Sequence, residues 1–231
     1  MHMKKYYGLG GKYLEEHKSY FSKRQLQKDI HFLIDVLKLK KEDKILDLAC
    51  GHGRHAIELK KRNFNVDGLD LSDYLLSISK KNAEQKKLQI KFYKQDIHNI
   101  NLKMKYDKIF LFFSEFGLFD ADKALKNISK ILKIGGLFLL DYDNIFRLIQ
   151  YIKKHPESSY KFDFSNMELK KEEKNSPRIK YYTIPELKEI LKVNKLKVIS
   201  IYGNYEKDDL DINSKRNIII SKKIKNIEWE E

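Results

Sequence analysis

The 231-residue sequence predicts an α/β fold, an open doubly wound sheet with helices on both faces and an insertion after the fifth strand. Three observations predict it. Between residues 44 and 142, short apolar runs alternate with helix-length amphipathic segments, the pattern of parallel strands joined by right-handed crossovers. A glycine-rich loop, Gly51-His52-Gly53, separates the first apolar run from the first helical pattern of that series. Near the carboxyl end, two apolar runs at 196–205 and 216–222 are joined by an acidic link with no helix, so they must pair antiparallel.

The elements follow in order. Leu26, Ile30, Leu33, Ile34 and Leu37 recur at helical spacing within 21–38. Lys44–Ala49 reads as strand one, Arg54–Arg62 as a helix and Asn65–Leu69 as strand two. Asp73–Lys87 reads as a helix capped by Ser72 or Asp73, and Ile90–Gln95 as strand three. Asp107–Phe113 is almost continuously apolar, which suits a strand covered on both faces. Asp122–Leu132 is helical, and Gly135-Gly136 is expected to end it and turn into strand five, Leu137–Tyr142. Residues 143–180 are polar and lysine-rich, with a helix at 145–154 and short strands near 160–164 and 167–172. Such a long insert reads either as a lid or substrate platform, or as a surface loop. Thr183-Ile184-Pro185 then opens a helix running to Val193.

The chain is expected to form one domain, 1–231, with its core at 21–142 and 181–222, an N-terminal cover at 1–20 and an insertion or lid at 143–180. The single cysteine, Cys50, allows no intramolecular disulfide and suits a reducing compartment. Met1–Tyr6 has no apolar signal core, and no apolar run approaches the ~20 residues of a membrane span, so a cytoplasmic protein without membrane contact is expected. The net charge is +14. It admits a nucleic-acid partner, but only six of the 47 basic residues are arginines and the lysines are scattered, which fits compositional bias better than nucleic-acid recognition.

Gly51-His52-Gly53-Arg54-His55-Ala56 fits the dinucleotide fingerprint, and Asp70 lies where a ribose-binding acid belongs. That pattern alone admits a nicotinamide cofactor. Asp47, four residues before Gly51, argues otherwise: a carboxylate there would repel a pyrophosphate but attract a cation. The terminal antiparallel pair also departs from the six-parallel dinucleotide sheet. The two glycines read as a tight turn at Gly51 and a close backbone approach to the ligand at Gly53. Cys50 reads as a small packing residue rather than a nucleophile. His52 and His55 do not share a helix face and have no third ligand nearby, so no metal is expected.

Asp47-Leu48-Ala49-Cys50-Gly51-His52-Gly53 resembles motif I of the class I S-adenosylmethionine (SAM)-dependent methyltransferases. Asp70 and Leu71 resemble the ribose-binding acid and its neighbour, Asp96 and Ile97 the adenine-binding pair, and Phe112–Phe116 the strand-four segment lining the methyl donor. Leu132–Gly136 resembles the family's turn into strand five, with Ile134 in place of the usual proline. The resemblance covers residues 25–142 and 181–222. It implies a Rossmann-like sheet of order 3-2-1-4-5-7-6 with strand 7 antiparallel. It also implies SAM as cofactor, S-adenosylhomocysteine (SAH) as product, and contacts from Asp47, Ala49, Gly51, Gly53, Arg54, Asp70, Leu71, Asp96, Ile97, Phe112 and Phe113. Arg54 reads either as a partner of the SAM carboxylate or as a solvated first-turn residue.

Methyl transfer from a sulfonium is an in-line displacement in which alignment supplies most of the effect. Acceptor-facing residues should project from strands four and five, which nominates Ser114, Glu115 and Phe116, then Asp141, Tyr142, Asp143 and Asn144. Glu115, Asp141 and Tyr182 are candidate catalytic groups, and Tyr6, Tyr20 and Tyr182 candidate pocket walls. The layout resembles small-molecule methyltransferases acting on N or O, as monomer or homodimer. An RNA or protein methyltransferase, a non-catalytic SAM-binding protein and a nicotinamide oxidoreductase are the rival readings.

Overall fold

The computed structural model describes residues 6–114, 116–171 and 177–225. The amino-terminal part holds a short helix, α1 (Tyr13–Glu16), a 3-10 turn (Lys18–Phe21) and α2 (Lys23–Val36), capped where Ser22 Oγ accepts from Gln25 N–H. The core then runs β1 (Lys44–Leu48), α3 (Arg54–Lys61), β2 (Asn65–Asp70), α4 (Asp73–Gln85), β3 (Phe92–Lys94), β4 (Tyr106–Ser114), α5 (Ala121–Ile131) and β5 (Leu132–Asp143). The insertion contains α6 (Ile145–Lys154), β6 (Tyr160–Asp163), β7 (Glu168–Lys171) and β8 (Arg178–Lys180). The core resumes with α7 (Ile184–Val193), β9 (Leu196–Tyr202) and β10 (Arg216–Lys223).

The main sheet has the order β3-β2-β1-β4-β5-β10-β9, with β10 antiparallel to both neighbours, as the resemblance implies. Strand periodicity sorts the apolar side chains into two cores. Leu46, Ile109, Leu111, Phe138, Leu140 and Ile219 face α5 and α7, while Ile45, Phe110, Phe112, Leu139 and Ile218 face α2 and α3. The insertion forms its own antiparallel sheet, β6-β7-β8, over a small core of Ile145, Leu169 and Tyr181. The N-cap of α7 is a full capping box between Thr183 and Glu186.

One local expectation is corrected. Gly135-Gly136 does not separate α5 from β5: α5 ends at Ile131 and β5 already begins at Leu132. Tyr106 pairs with Leu132 and Lys108 with Leu137, so residues 133–136 bulge out opposite Asp107. Gly135, at φ +79, takes the left-handed step, and a Cβ on Gly136 would lie 2.8 Å from the Asp107 carbonyl. Lys133 Nζ and Lys44 N–H both donate to the Asp107 carboxylate, pinning the bulge to β1. The glycines serve a bulge rather than a helix stop.

Candidate active site

Residues 49–53 connect β1 to α3 through three left-handed residues: Ala49 (φ +52), Gly51 (φ +54) and Gly53 (φ +75). Ala49 pays for a conformation that glycine adopts freely, a cost of order 1–3 kcal/mol that such positions carry where backbone is shaped for function. The loop is tied to β2, because Asp70 Oδ2 accepts from Gly51 N–H at 2.8 Å and Oδ1 from Ser72 N–H at 2.8 Å. Burial raises the Asp70 pKa, and these two N–H donors oppose it. Beneath the loop, Asp47 is 2% exposed and accepts from Ala56 N–H in the first turn of α3 at 3.1 Å. Burial pushes its pKa up to about 8, against the opposing pull of Ala56 N–H and Arg54.

The second glycine also has a packing reason. A Cβ on Gly53 would lie 2.7 Å from Ser79 Cβ and 3.2 Å from the Phe92 ring, so glycine there permits close packing of α4 and β3. Gly68, which the sequence did not single out, has the same role: a Cβ would meet Phe92 at 2.6 Å and Cys50 Sγ at 2.9 Å. Cys50 is buried and fills this space; burial pushes its thiol well above the usual range. Farther along the edge, Leu71 is 51% exposed and Ile97 is buried. Asp96 Oδ1 accepts from His98 N–H and Nδ1, while His98 Nε2 accepts from Asp120 N–H. The loop after β3 is thereby braced to α5.

Arg54 does not project into solvent. Its Nη1 lies 3.0 Å from Asp29 Oδ2, and Asp29 is fully buried on α2. Asp29 also accepts from Gln25 and contacts His55 Nε2 at 3.1 Å. Burial disfavours the Asp29 carboxylate, but His55 and Arg54 outweigh it and hold its pKa below the usual range. Burial, with Arg54 adding to it, lowers the His55 pKa to about 4, so the ring is neutral at pH 7. Asp29 is thus a site-supporting residue that sequence reasoning missed. Its signal was an acid on the apolar stripe of α2, between Leu26 and Leu33.

The amino-terminal segment lies over this loop. Ser72 Oγ donates to the Tyr7 carbonyl at 2.7 Å, and a Cβ on Gly51 would lie 4.0 Å from the Tyr13 hydroxyl. Tyr6, Tyr7, Tyr13 and His17 form a chain of edge-on and tilted ring contacts, Phe21 packs on His52, and Tyr6 OH donates to Glu16. Tyr20 lies in the 3-10 turn of this cover; its side chain is outside the described residues.

At the ends of β4 and β5, the structure changes the assignment of several residues. Glu115 lies outside the described residues. Asp141 is not a free acid: its Oδ1 accepts from Arg216 Nε at 2.7 Å, and Oδ2 from Phe113 N–H at 2.8 Å and Tyr205 OH at 2.9 Å. Phe113 sits at φ +57 where the register of β4 shifts, and its ring lies 4.8 Å from the Arg216 guanidinium. Phe112 turns away into the α2 core and stacks on Tyr205. Phe116 is 1% exposed and mainly a core residue, and Tyr182 packs on it at 5.9 Å, outside the residues lining the nearby cavity.

That cavity, of about 210 Å³, lies between the main sheet and the insertion. Ser114, Phe116, Tyr142 and Asp143 line it from the sheet, and Leu148, Tyr151, Tyr160, Leu169 and Tyr181 from the insertion. Ser114 Oγ donates to the Asp141 carbonyl, and the half-exposed Asp143 carboxylate pairs with Arg216 Nη1. The floor depends on Gly117, where a Cβ would lie 1.7 Å from the Lys180 carbonyl oxygen, so the backbone of β8 rests directly on the turn after β4.

Sheet order, left-handed loop and acid-tipped strands together give the layout shared by the class I SAM-dependent methyltransferases. Comparison with known proteins points the same way: residues 45–136 match the methyltransferase domain family. A protein of Geobacillus sp. (strain WCH70) that carries the name methyltransferase is 29% identical over 127 residues, 51% of each chain. A ubiquinone biosynthesis O-methyltransferase of Coxiella burnetii is 30% identical over 109 residues, 46% of this chain and 47% of its own. The chain thus spans about half the length of the curated relatives it matches. The structure of a SAM-dependent methyltransferase from Clostridium acetobutylicum superposes with a TM-score of 0.75 at 20% identity, covering 92% of this chain and 99% of that one. The CcbJ methyltransferase of Streptomyces caelestis gives 0.70 at 17% identity, covering 86% and 89%. These two share the fold.

Proposed function

We propose that this protein transfers a methyl group from SAM to an N or O atom of a small acceptor held in the cavity beneath the insertion. The residues present suit the donor. Asp47 supplies an acid for the methionine ammonium and no group that would hold a pyrophosphate. Asp70 offers its remaining lone pairs to ribose hydroxyls, and Leu71 and Asp96 frame the place of the adenine. The positive end of the α3 dipole suits the methionine carboxylate. When bound, SAM supplies a methyl group already activated by the sulfonium charge. The chain's own part is to align the acceptor with it and keep water out.

The cavity carries the small-acceptor reading. It opens at the carboxyl ends of β4 and β5, where ligands of open α/β sheets bind, and the insertion roofs it. At about 210 Å³ it is smaller than the roughly 300–1,000 Å³ of drug-sized sites. The lysine-lined groove that an RNA substrate would favour lies elsewhere. Lys60, Lys80, Lys87 and Lys91 border it at the amino ends of β2 and β3.

Calorimetry with SAM, SAH and NAD tests the donor, and release of SAH across a panel of small amines and hydroxyl compounds tests the acceptor. SAM and SAH are expected to bind and NAD not to. Binding of NAD alone would overturn the assignment. Turnover of RNA, with a steep salt dependence, in place of small acceptors would move the substrate to the basic surface. Among the described residues no helix is long and apolar enough to cross a membrane.

A further inference from the structure

The acceptor cavity has a charge and a wall chemistry that narrow the acceptor class. Arg216 is shared by two carboxylates, its Nε on Asp141 and its Nη1 on Asp143. Arg216 and Phe113 N–H can only donate, and their hydrogen bonds to the two Asp141 oxygens favour its ionised form against the burial that raises its pKa. The third nitrogen of Arg216, Nη2, is buried without a hydrogen-bond partner among the described residues, and the Phe113 ring lies beside the guanidinium. One guanidinium thus balances two carboxylates, and a negative charge remains. Of the two acids, Asp141 is sealed at 0% exposure while the Asp143 side chain is 48% exposed and lines the cavity. The surplus charge is therefore presented to whatever occupies the cavity.

The other walls suit a cation with an apolar body. Tyr142, Tyr151, Tyr160 and Tyr181 place rings around the same space, and aromatic faces attract ammonium groups. Among the described residues, the lysine at the rim is Lys180, which holds its ammonium over the ring of Tyr182, a residue outside the lining. We propose that the acceptor is a primary or secondary amine of single-ring size, its ammonium on Asp143 and its apolar part against the tyrosine wall. This rests on the methyltransferase reading above and names its substrate class.

The chemistry balances. The bound ammonium first gives up one proton, to the Asp143 carboxylate or through it to water. The freed nitrogen lone pair then forms the new N–C bond while the donor's C–S bond breaks and its electron pair stays on sulfur. The methylated ammonium carries the positive charge that the sulfonium loses, so it too leaves from a site built for a cation. Asp143 is a substrate-binding residue in this scheme, and Arg216 and Asp141 are positioning residues that fix its carboxylate.

The test uses the full-length protein saturated with SAH and three probes of one shape: benzylamine, benzyl alcohol and benzoate. Calorimetry is expected to show benzylamine binding at least about tenfold tighter than the other two. Asp143→Asn, which keeps an oxygen for Arg216, is expected to erase that preference while leaving SAH affinity within about twofold. Tyr151→Ala, at an exposed position on α6, is expected to weaken benzylamine about fivefold by removing one ring of the wall. Equal or tighter binding of benzyl alcohol or benzoate overturns the proposal, as does a benzylamine affinity untouched by Asp143→Asn. Loss of SAH binding in the unaltered protein would instead remove the donor assignment, and this one with it.

Discussion

Gly117→Ala tests whether the insertion is a working wall of the site or a decoration. The added Cβ would lie 1.7 Å from the Lys180 carbonyl oxygen and under 3 Å from the carbon and nitrogen of the same residue. Ordinary contact begins near 3.4 Å, so the turn after β4 and strand β8 must part by about 1.7 Å. Both surfaces are backbone and neither can rotate away. Overpacking of this kind costs about 1–3 kcal/mol. Separation at this point lifts Ile179 and Tyr181 from the seat that holds the insertion's small core, and opens the cavity along one side. SAH affinity, which the proposed donor site assigns to residues 47–97, should stay within about twofold while acceptor turnover falls at least tenfold, about 1.4 kcal/mol. Calorimetry, thermal unfolding and an SAH-release assay on one preparation read all three. Unchanged turnover with an unchanged unfolding temperature would refute the docking argument.

Other outcomes follow from the same geometry. With the Asp47 pKa near 8 in the free protein, the carboxyl is mostly protonated at pH 7. Pairing with an ammonium ionises it, so SAH binding should release close to one proton, and affinity should rise with pH up to about 8. Calorimetry in buffers of different ionisation enthalpy reads the proton, and Asp47→Asn should abolish its release. Asp70→Ala should weaken SAM binding while the fold persists, since it frees Gly51 and Ser72 N–H and removes the ribose partner; unchanged affinity in a folded variant would defeat that assignment. Arg216→Leu leaves Asp141 as a buried unpaired acid and should cost about 3–5 kcal/mol in urea unfolding. The raised Asp141 pKa that results should make this variant less destabilised at acidic pH than at neutral pH. Gly68→Ala, forced against Phe92 and Cys50, should destabilise by about 1–3 kcal/mol with the loss read as a lowered melting temperature.

The parts of this molecule that are legible in its sequence are those written in short-range spacing. Asp47, Gly51 and Asp70 announce themselves because a strand end, a turn and the next strand end recur at fixed intervals, and the terminal antiparallel pair follows from a link too short for a crossover. The helices at 145–154 and 184–193 likewise stand out by period and cap. What stays hidden is pairing across long separations. Asp141 reads as a free loop-end acid until Arg216, 75 residues on, is seen to hold it. Arg54 reads either as a partner of the SAM carboxylate or as solvated, and its pairing with Asp29 on α2 is not visible in either reading. Gly117 and Gly68 carry no pattern, since their reason is the backbone or ring that comes to rest on them. The Gly135-Gly136 pair misleads because glycine marks helix ends and bulges alike.

The position of β10 sets an order of events for synthesis. This strand comes last among the described elements, yet it lies inside the sheet, between β5 and β9. A nascent chain that has emerged only as far as β9 holds β5 as an open edge and Asp141 as a carboxylate without its cation. Strand pairing and charge neutralisation then arrive together, with Arg216 at the first residue of β10. Folding from the ribosome is therefore held back from completion until that residue is free, and a chain cut short before it exposes an apolar strand edge of the kind that aggregates.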